Sequence, residues 1–409
     1  MNFSSLAFLS RTPGIRGKLK QTPEDFLVEE IAPWGEVLEI GKQISRESAS
    51  EENGEFLHFV LQKKNWNTAQ AMGAVARAAH ASPKRFNYAG TKDRNAITTQ
   101  RASAFALEKL DISVKDIQIL GQWRAKEKVR LGDLLGNRFT ITLRGVCSDA
   151  EARVEKIAGE LQGVFPNYFG EQRFGSIRRN THLVGKEMVR GDFKSAVLNY
   201  LTYVDENEEE SAKIARKNLA ETLDYARALN EFPQHLKYER TMLMRLAKEP
   251  KDFVNAMRLL PRGISLLFIH AYQSALFNEL LSERVREGSL NELGEGEHFC
   301  ALSSYGFPEA EIKGESKFLA MRLIGYDTKL NERERALLER ECILTENFKI
   351  RSFPELGSKG SWKCALAPLK NFVSEAHEES MLFKFELPSG SYATMALREF
   401  IEVNKKTDP

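Results

Sequence analysis

Residues 88–100 read YAGTKDRNAITTQ, and they follow a β-prone segment that begins at Phe86. We expect a strand that runs into a loop in which one carboxylate, Asp93, stands between the cations Lys92 and Arg94. Neighbouring positive charge favours the ionised form of an aspartate, and an ionised carboxylate can act as a nucleophile or a general base. A plain surface loop in which Asp93 caps a helix would have the same composition.

Outward from this loop, the hydrophobic pattern predicts a mixed α/β chain with a helical middle. Strand-like and helical segments alternate up to residue 162, the stretch from about 193 to 290 is charged and helical, and β-like segments return after about 345. This order indicates that the two ends form one domain and that the middle is inserted. The predicted strands are 56–62, 86–90, 139–143 and 383–387, and the predicted helices are 69–81 (capped at Asn67-Thr68), 149–161, 268–287 and 394–403.

Two further segments carry residue types that suit RNA recognition. In Gly136-Asn137-Arg138-Phe139, an Asn amide can read a base edge and an aromatic ring can stack on a base; a turn followed by a buried strand residue is the alternative. The segment 166–175, PNYFGEQRFG, places three aromatics around Gln172 and Arg173, which suits base stacking and phosphate contact. An aromatic-rich domain junction fits this second segment equally well.

The charge is nearly balanced, with 59 basic and 57 acidic residues, but it is unevenly distributed. Cations are concentrated in residues 77–101, 124–144 and 173–190, and we expect these stretches to follow a nucleic acid; chance clustering on solvated faces is the alternative. The cysteines predict neither a disulfide framework nor a zinc site, because they are far apart, so we expect four isolated and mostly buried thiols: Cys147, Cys300, Cys342 and Cys364.

No segment resembles a signal peptide, and no apolar run approaches the roughly 18 residues of a membrane span. We therefore expect a cytoplasmic protein without membrane association.

Six segments in this order resemble the TruD family of tRNA pseudouridine synthases. They span nearly the whole chain, and NYFGEQRFG and AGTKDR are the most specific. The six are PEDFLVEE (23–30), YAGTKDRNAITTQ (88–100), GNRFTITLRG (136–145), PNYFGEQRFG (166–175), HAYQSALFN (270–278) and LPSGSYATMALRE (387–399).

The resemblance implies an α+β fold in two parts. Residues 1–162 and 351–409 would form a pseudouridine synthase catalytic domain with a mixed antiparallel sheet and flanking helices. Residues 163–350 would form an inserted, largely helical α/β TRUD domain. The region 193–260 is longer than in short bacterial members and is more similar to archaeal and eukaryotic forms.

The resemblance also implies the activity and its residues. It places the catalytic carboxylate on Asp93 and active-site roles on Asn137, Phe139, Lys20 and Phe26, and Arg94, Gln172 and Arg173 are added as substrate-binding candidates. The expected reaction isomerises uridine 13 of tRNA to pseudouridine, with no metal, cofactor or protein partner required and a monomer expected.

Two other functions remain open from the residues themselves. An RNA-binding protein that helps tRNA to fold would explain the basic and aromatic segments, although it gives Asp93 no role. A nuclease that uses Asp93 on a metal would need further carboxylates, and residues 88–100 contain only this one.

Overall fold

The structure is a computed structural model that describes residues 3–46 and 54–402, and it has the expected α+β architecture. Its strands are β1 (Phe26–Ile31), β2 (Phe56–Lys64), β3 (Phe86–Tyr88), β4 (Ile97–Phe105), β5 (Ile117–Ala125), β6 (Gly136–Arg144), β7 (Val164–Pro166), β8 (His298–Leu302), β9 (Pro308–Lys313), β10 (Leu319–Leu323), β11 (Ser361–Cys364), β12 (Leu366–Pro368), β13 (Lys370–His377) and β14 (Ser380–Pro388). Its helices are α1 (Thr68–Ala78), α2 (Ala150–Leu161), α3 (Thr181–Arg190), α4 (Phe193–Thr202), α5 (Glu210–Thr222), α6 (Tyr225–Glu231), α7 (Lys237–Lys248), α8 (Phe253–Arg258), α9 (Arg262–Glu287), α10 (Glu332–Arg340) and α11 (Ala393–Ile401).

A mixed sheet built from both ends of the chain forms the main layer. Its strand order is β13-β14-β6-β1-β4-β2-β5, with β3 paired to β4 beside this path. The β1–β4 pair is parallel and the other pairs are antiparallel. Because β13 and β14 come from the last forty residues and β14 pairs with β6, the sheet is complete only when the two end regions of the chain come together.

On one edge of β4 the sheet is divided, because two different strands pair with different parts of that edge. Strand β2 pairs with the whole of β4 on one side, whereas β1 pairs with residues 97–99 and β3 with residues 102–104 on the other. The chain leaves β3 at Tyr88 and must return to the start of β4 at Ile97, so the intervening loop lies in this division. The division therefore determines where residues 89–96 are placed.

The segment between α2 and β13 adds a helical layer and a second sheet. Seven helices, α3 to α9, precede a four-stranded antiparallel sheet of order β11-β10-β8-β9 within the described residues. The short strands β7 and β12 pair where the chain leaves and re-enters the first part. One apolar cluster runs through both parts, from β6 and β14 to α9 and β10. The domain limits at 162/163 and 350/351 stay a prediction.

Every strand and helix expected from the pattern is present, with shifted ends. The Asn67 side chain accepts a hydrogen bond from the backbone N of Gln70 at 2.8 Å and caps α1 as expected. Strand β4 (ITTQRASAF) escaped prediction, because it carries buried polar residues instead of an apolar alternation. Strands β5, β7, β12 and β13 and the second sheet were not predicted either. No helix among the described residues is long and apolar enough to cross a membrane.

The four cysteines are free thiols as expected, but Cys300 and Cys364 are not isolated, and only two of the four are buried. Cys300 and Cys364 are buried with their sulfurs 3.3 Å apart, although 64 residues separate them in sequence. Cys342 is exposed and Cys147 is intermediate. Strands β8 and β11 both pair with β10, which brings the two buried thiols together across that strand.

Candidate active site

A cavity of about 500 Å³ opens at the division in the sheet. Its floor comes from alternate residues of two paired strands: Val28 on β1 lies opposite Phe139 on β6, and Glu30 lies opposite Asn137. Side chains two apart on a strand share a face, so Asn137 and Phe139 necessarily point the same way. The lining residues are Phe26, Val28, 89–93, Leu131, Gly132, Leu134, Asn137, Phe139, Gln172, Arg173, Leu267 and 389–394.

The loop that carries Asp93 is tied down at three points. The backbone N of Lys92 donates to Thr68 Oγ1 at 2.9 Å, at the start of α1. Gln100 Nε2 donates to the carbonyl of Gly90 at 3.0 Å, and Lys63 Nζ donates to the carbonyl of Asp93 itself at 2.8 Å. These bonds fix the loop against β2, β4 and α1 and direct the Asp93 carboxylate into the cavity.

The carboxylate of Asp93 has two side-chain donors, both on Oδ1. Lys20 Nζ lies at 3.0 Å and Gln172 Nε2 at 2.9 Å. Burial alone would raise the pKa of Asp93, but the charge of Lys20, the hydrogen bonds from Gln172 and Lys20 and the charge of Lys63 outweigh it, and the pKa lies below the usual range. Asp93 is therefore ionised at neutral pH.

Lys20 reaches Asp93 from a strained position in the chain. Its φ is 57°, in the left-handed region that side chains other than glycine seldom adopt. Its Nζ also lies 4.1 Å from the centre of the Phe26 ring, a cation–π distance. Phe26 in turn meets Phe139 edge to face at 6.3 Å. One cation thus joins the carboxylate to the aromatic side of the cavity.

The Asn137 amide is oriented by a buried ion pair. Lys92 Nζ donates to Asn137 Oδ1 at 2.6 Å and lies 3.0 Å from Glu30 Oε2, with 5% of Lys92 and 0% of Glu30 exposed. A cation forces the amide to present its oxygen, so Nδ2 with its two donors occupies the other side. Gly136 lets β6 approach β14 here, since a Cβ on it would lie 2.1 Å from the Leu387 carbonyl oxygen.

A second buried cation, Lys63, also holds the loop that carries Asp93. Lys63 is fully buried in β2, and burial lowers its pKa to about 8, against the charge of Asp93, which raises it; the charge of Lys92 lowers it further. Lys63 therefore changes charge close to physiological pH, and it lies near enough to Asp93 for its charge to lower the pKa of that carboxyl.

The opposite wall comes from residues 389–394 and from Arg173. Arg173 Nε donates to Ser274 Oγ of α9 at 3.1 Å, which holds the guanidinium at the cavity. Lys363 of β11 donates to the Gly390 carbonyl at 2.9 Å and fixes the turn before α11. The main sheet and the helical layer thus line this one cavity, and the second sheet supports one of its walls through Lys363.

Of the eight residues predicted from the sequence, the structure brings seven together. Six line the cavity, Lys20 contacts Asp93 from its edge, and Arg94 is absent from it. Arg94 is exposed and lies in a separate depression beside α1. The chain bends at residues 94–96, and the side chain of Arg94 faces this depression instead of the cavity.

The aromatic and basic residues of 166–190 are largely structural. Tyr168, Phe169 and Phe174 are buried, which supports the domain-junction interpretation for these three rings. Arg178 is also an internal residue: it donates to Glu239 at 2.9 Å and to the Tyr200 carbonyl at 2.6 Å. The expectation that Arg178 follows the nucleic acid is therefore wrong.

Comparison with known proteins identifies the family. A family model described as tRNA pseudouridine synthase D (TruD) matches residues 3–400. The chain belongs to the TruD family. It is 35% identical over 429 residues to the "Probable tRNA pseudouridine synthase D" of Methanosarcina barkeri, with 96% of this chain and 95% of that protein covered. It is 37% identical over 418 residues to the protein of the same description from Archaeoglobus fulgidus, with 97% of each chain covered.

A solved structure shares the fold. The crystal structure of the putative TruD of Methanosarcina mazei superposes with a TM-score of 0.78 at 34% identity, over 98% of this chain and 97% of that one. The mixed sheet with flanking helices is thus the architecture of a TruD family member.

Three residues of this TruD site were missed at the level of sequence. Lys92 stood beside Asp93 in the loop, and only its contact with Asn137 reveals its part in the site. The sequence does indicate that Lys63 is buried, because the alternation in FLHFVLQKK places it on the same strand face as the apolar Phe59 and Leu61. Glu30 gave none, because the pair Glu29-Glu30 does not show which carboxylate faces inward.

Proposed function

We propose that this chain isomerises uridine to pseudouridine in tRNA and that Asp93 is the catalytic carboxylate. The observation that carries the proposal is the placement of one ionised carboxylate, held by Lys20 and Gln172, in a cavity whose other walls are an Asn amide, aromatic rings and an arginine. Family membership supports the reaction class, and the geometry supports the choice of residue.

The two oxygens of Asp93 have different surroundings. Among the described side chains, both donors to the carboxylate end on Oδ1. Oδ2 is then the oxygen with open lone pairs toward the cavity, and we assign the reacting role to it. A carboxylate held at one oxygen keeps its orientation while the other oxygen reacts, which is the arrangement that positioned catalysis requires.

The reaction breaks the N1–C1′ bond of uridine and forms a C5–C1′ bond, with a proton lost from C5 and one gained at N1, so no oxidant or reductant enters. Two routes fit an ionised Asp93: attack of Oδ2 on the sugar or the base, and proton abstraction that allows elimination. Both require the carboxylate form, which Lys20 and Lys63 favour.

The base needs a pocket outside the RNA stack. Extrusion of a stacked base costs a few kcal/mol, and contact with an aromatic ring returns about 1–3 kcal/mol. Phe139 and Phe26 line the cavity and provide that contact. The Nδ2 donors of Asn137 match the carbonyl oxygens of uracil, while the N4 amino group of cytosine is a donor and would oppose them.

We further propose uridine 13 in the D arm of tRNA as the target and residues 163–350 as the inserted unit that holds the tRNA body. The cavity lies where α9 and Arg173 meet the main sheet, so a base taken from the D-arm region would enter between these two parts. Arg173 and the turn at residues 389–394 then face the sugar and phosphate of the extruded nucleotide.

One incubation separates the proposal from its alternatives. Purified protein is incubated with unmodified tRNA transcripts in the presence of EDTA, and pseudouridine is mapped by sequencing while the RNA is checked for cleavage. We expect pseudouridine at position 13 with intact RNA. Metal-dependent cutting would indicate a nuclease, binding without base change would indicate a folding helper, and pseudouridine only at other positions would remove the position 13 assignment.

A further inference from the structure

A second depression, of about 620 Å³, lies beside the loop that carries Asp93, on the outer face of α1. It is separate from the Asp93 cavity, and Arg94 is the residue that joins them, because it follows Asp93 directly in the chain. The residues that line it are Asn65, Trp66, Ala69, Gln70, Gly73, Arg77 and Arg94.

The charge of this depression is uncompensated. Arg77 and Arg94 are both exposed, and among residues 3–46 and 54–402 neither has a carboxylate within ion-pair distance. Arg179 and Arg130, by contrast, are exposed arginines paired with Glu171 and Glu127. The lining contains no acidic residue, so the depression is suited to an anionic ligand.

A half-buried aromatic ring completes the chemistry. Trp66 packs on one side against the apolar cluster formed by β2, β4 and α1, and its remaining surface faces the depression. An indole beside two guanidinium groups combines a stacking surface with phosphate donors, which is the combination that single-stranded nucleic acid binds.

The helix itself has a glycine that the fold does not require. Gly73 lies in the middle of α1, where glycine costs about 0.5–1 kcal/mol relative to alanine. A Cβ built on it would meet only Arg77 Nη1, at 3.6 Å, which is an ordinary contact. No neighbour in the described part of the chain explains the absent side chain, whereas a ligand lying across the helix at this point would.

We propose that this depression binds the RNA strand next to the target uridine, with its phosphates on Arg77 and Arg94 and a base against Trp66. The inference rests on the proposed function, because the strand is the one that delivers a base to Asp93. The adjacency of Arg94 and Asp93 places the bound phosphates close to the extruded nucleotide, and the contact holds the strand while the base leaves its stack.

The test compares two helical glycines in the full-length protein. Gly73→Gln places a side chain in the depression, and the control Gly159→Gln places one on an exposed face of α2, where nothing lies within 4 Å of a Cβ. Affinity for an unmodified tRNA transcript is measured by filter binding, and the pseudouridine rate is measured at saturating RNA. We expect Gly73→Gln to raise Kd at least tenfold over the control, with the saturated rate within threefold and equal thermal stability.

A second variant keeps the test independent of folding at α1. The double variant Arg77→Gln with Arg94→Gln removes both exposed arginines. The plot of log association constant against log salt concentration should become less steep by about 1.4–1.8, since each phosphate contact contributes about 0.7–0.9. A Kd for Gly73→Gln within twofold of Gly159→Gln, or an unchanged slope, would overturn the proposal. Absence of pseudouridine with the unaltered protein would instead overturn the proposed function, and the binding comparison would still decide the depression.

Discussion

Nζ of Lys92 lies 2.6 Å from Oδ1 of Asn137, and the same ammonium makes the buried ion pair with Glu30. The position of the amide that faces the cavity is therefore determined by a charge behind it. A residue of the loop that carries Asp93 thus also orients a residue of β6, so the Asp93 carboxylate and the Asn137 amide are positioned together.

The first prediction follows from this contact. Asn137→Asp keeps an oxygen for Lys92 and nearly the same shape, but it replaces the two Nδ2 donors with an acceptor. We expect kcat/KM to fall by at least tenfold, because a hydrogen bond to the base worth about 0.5–1.5 kcal/mol is lost and the uracil oxygen meets a carboxylate instead. Steady-state kinetics measure this, with thermal unfolding as the control for stability. Unchanged kinetics would mean that Asn137 does not face the base.

The second prediction concerns stability. Lys92→Met leaves Glu30 fully buried without its ion-pair partner, and breaking a buried pair on one side costs about 3–5 kcal/mol. Urea denaturation should show this loss, and the double variant Lys92→Met with Glu30→Gln should recover much of it. If the double variant is no more stable than the single one, the pair is not the source of the loss.

We expect Lys20 to determine the acid side of the pH profile of activity. It lowers the pKa of Asp93, so the carboxylate stays ionised and active to lower pH than an unpaired aspartate would. In Lys20→Met the pKa of Asp93 rises, and the acid limb of kcat/KM against pH should move to higher pH. Lys20→Arg, which keeps the charge, should move it less. An acid limb in the same place in Lys20→Met would exclude this electrostatic role.

We expect Lys63 to determine the alkaline side of the same pH profile. Burial holds its pKa near 8, and as pH rises through that value the positive charge beneath Asp93 disappears. We expect kcat/KM to decline above about pH 8, and Lys63→Met should be less active at pH 7 but level through this range. Lys363, whose pKa burial also lowers to about 8, is the control: Lys363→Met should retain the decline.

For Arg178 we predict a structural role, although its place in a basic stretch of the sequence indicated contact with a nucleic acid. It and the fully buried Arg216 share Glu239 and Glu208. Arg178→Met should therefore destabilise the fold by about 3–5 kcal/mol in urea denaturation and leave the salt dependence of RNA binding unchanged. The exposed pair of Arg179 with Glu171 is the control, and Arg179→Gln should cost less than about 1 kcal/mol.

Sequence reasoning recovered the sheet-forming ends and the helical middle, and seven of its eight predicted site residues lie in or beside the cavity, mostly through the family resemblance. Local pattern alone could place Asp93 in a loop, and it could not show that Gln172 reaches it from 79 residues away. That contact depends on how the helical layer packs on the main sheet, which no short-range periodicity encodes.

The sequence also could not show which way each basic side chain points. Arg94 and Arg178 are both cations in basic stretches, yet one is exposed in a separate depression and the other is internal. The difference lies in the partners that tertiary packing supplies: Glu239 on α7 meets Arg178, and no described carboxylate meets Arg94. Charge composition identifies the stretch, and only the fold identifies which cations remain available to RNA.

The central claim, that Asp93 carries out the chemistry, is tested most directly by single-turnover kinetics of Asp93→Asn. The amide keeps the shape of the side chain and can still accept from Lys20 or Gln172, but it cannot act as a carboxylate. With saturating enzyme and an unmodified tRNA transcript, we expect no pseudouridine above background and a Kd for tRNA within a few-fold of the unaltered protein. Turnover by purified Asp93→Asn, free of any unaltered enzyme, would contradict the account.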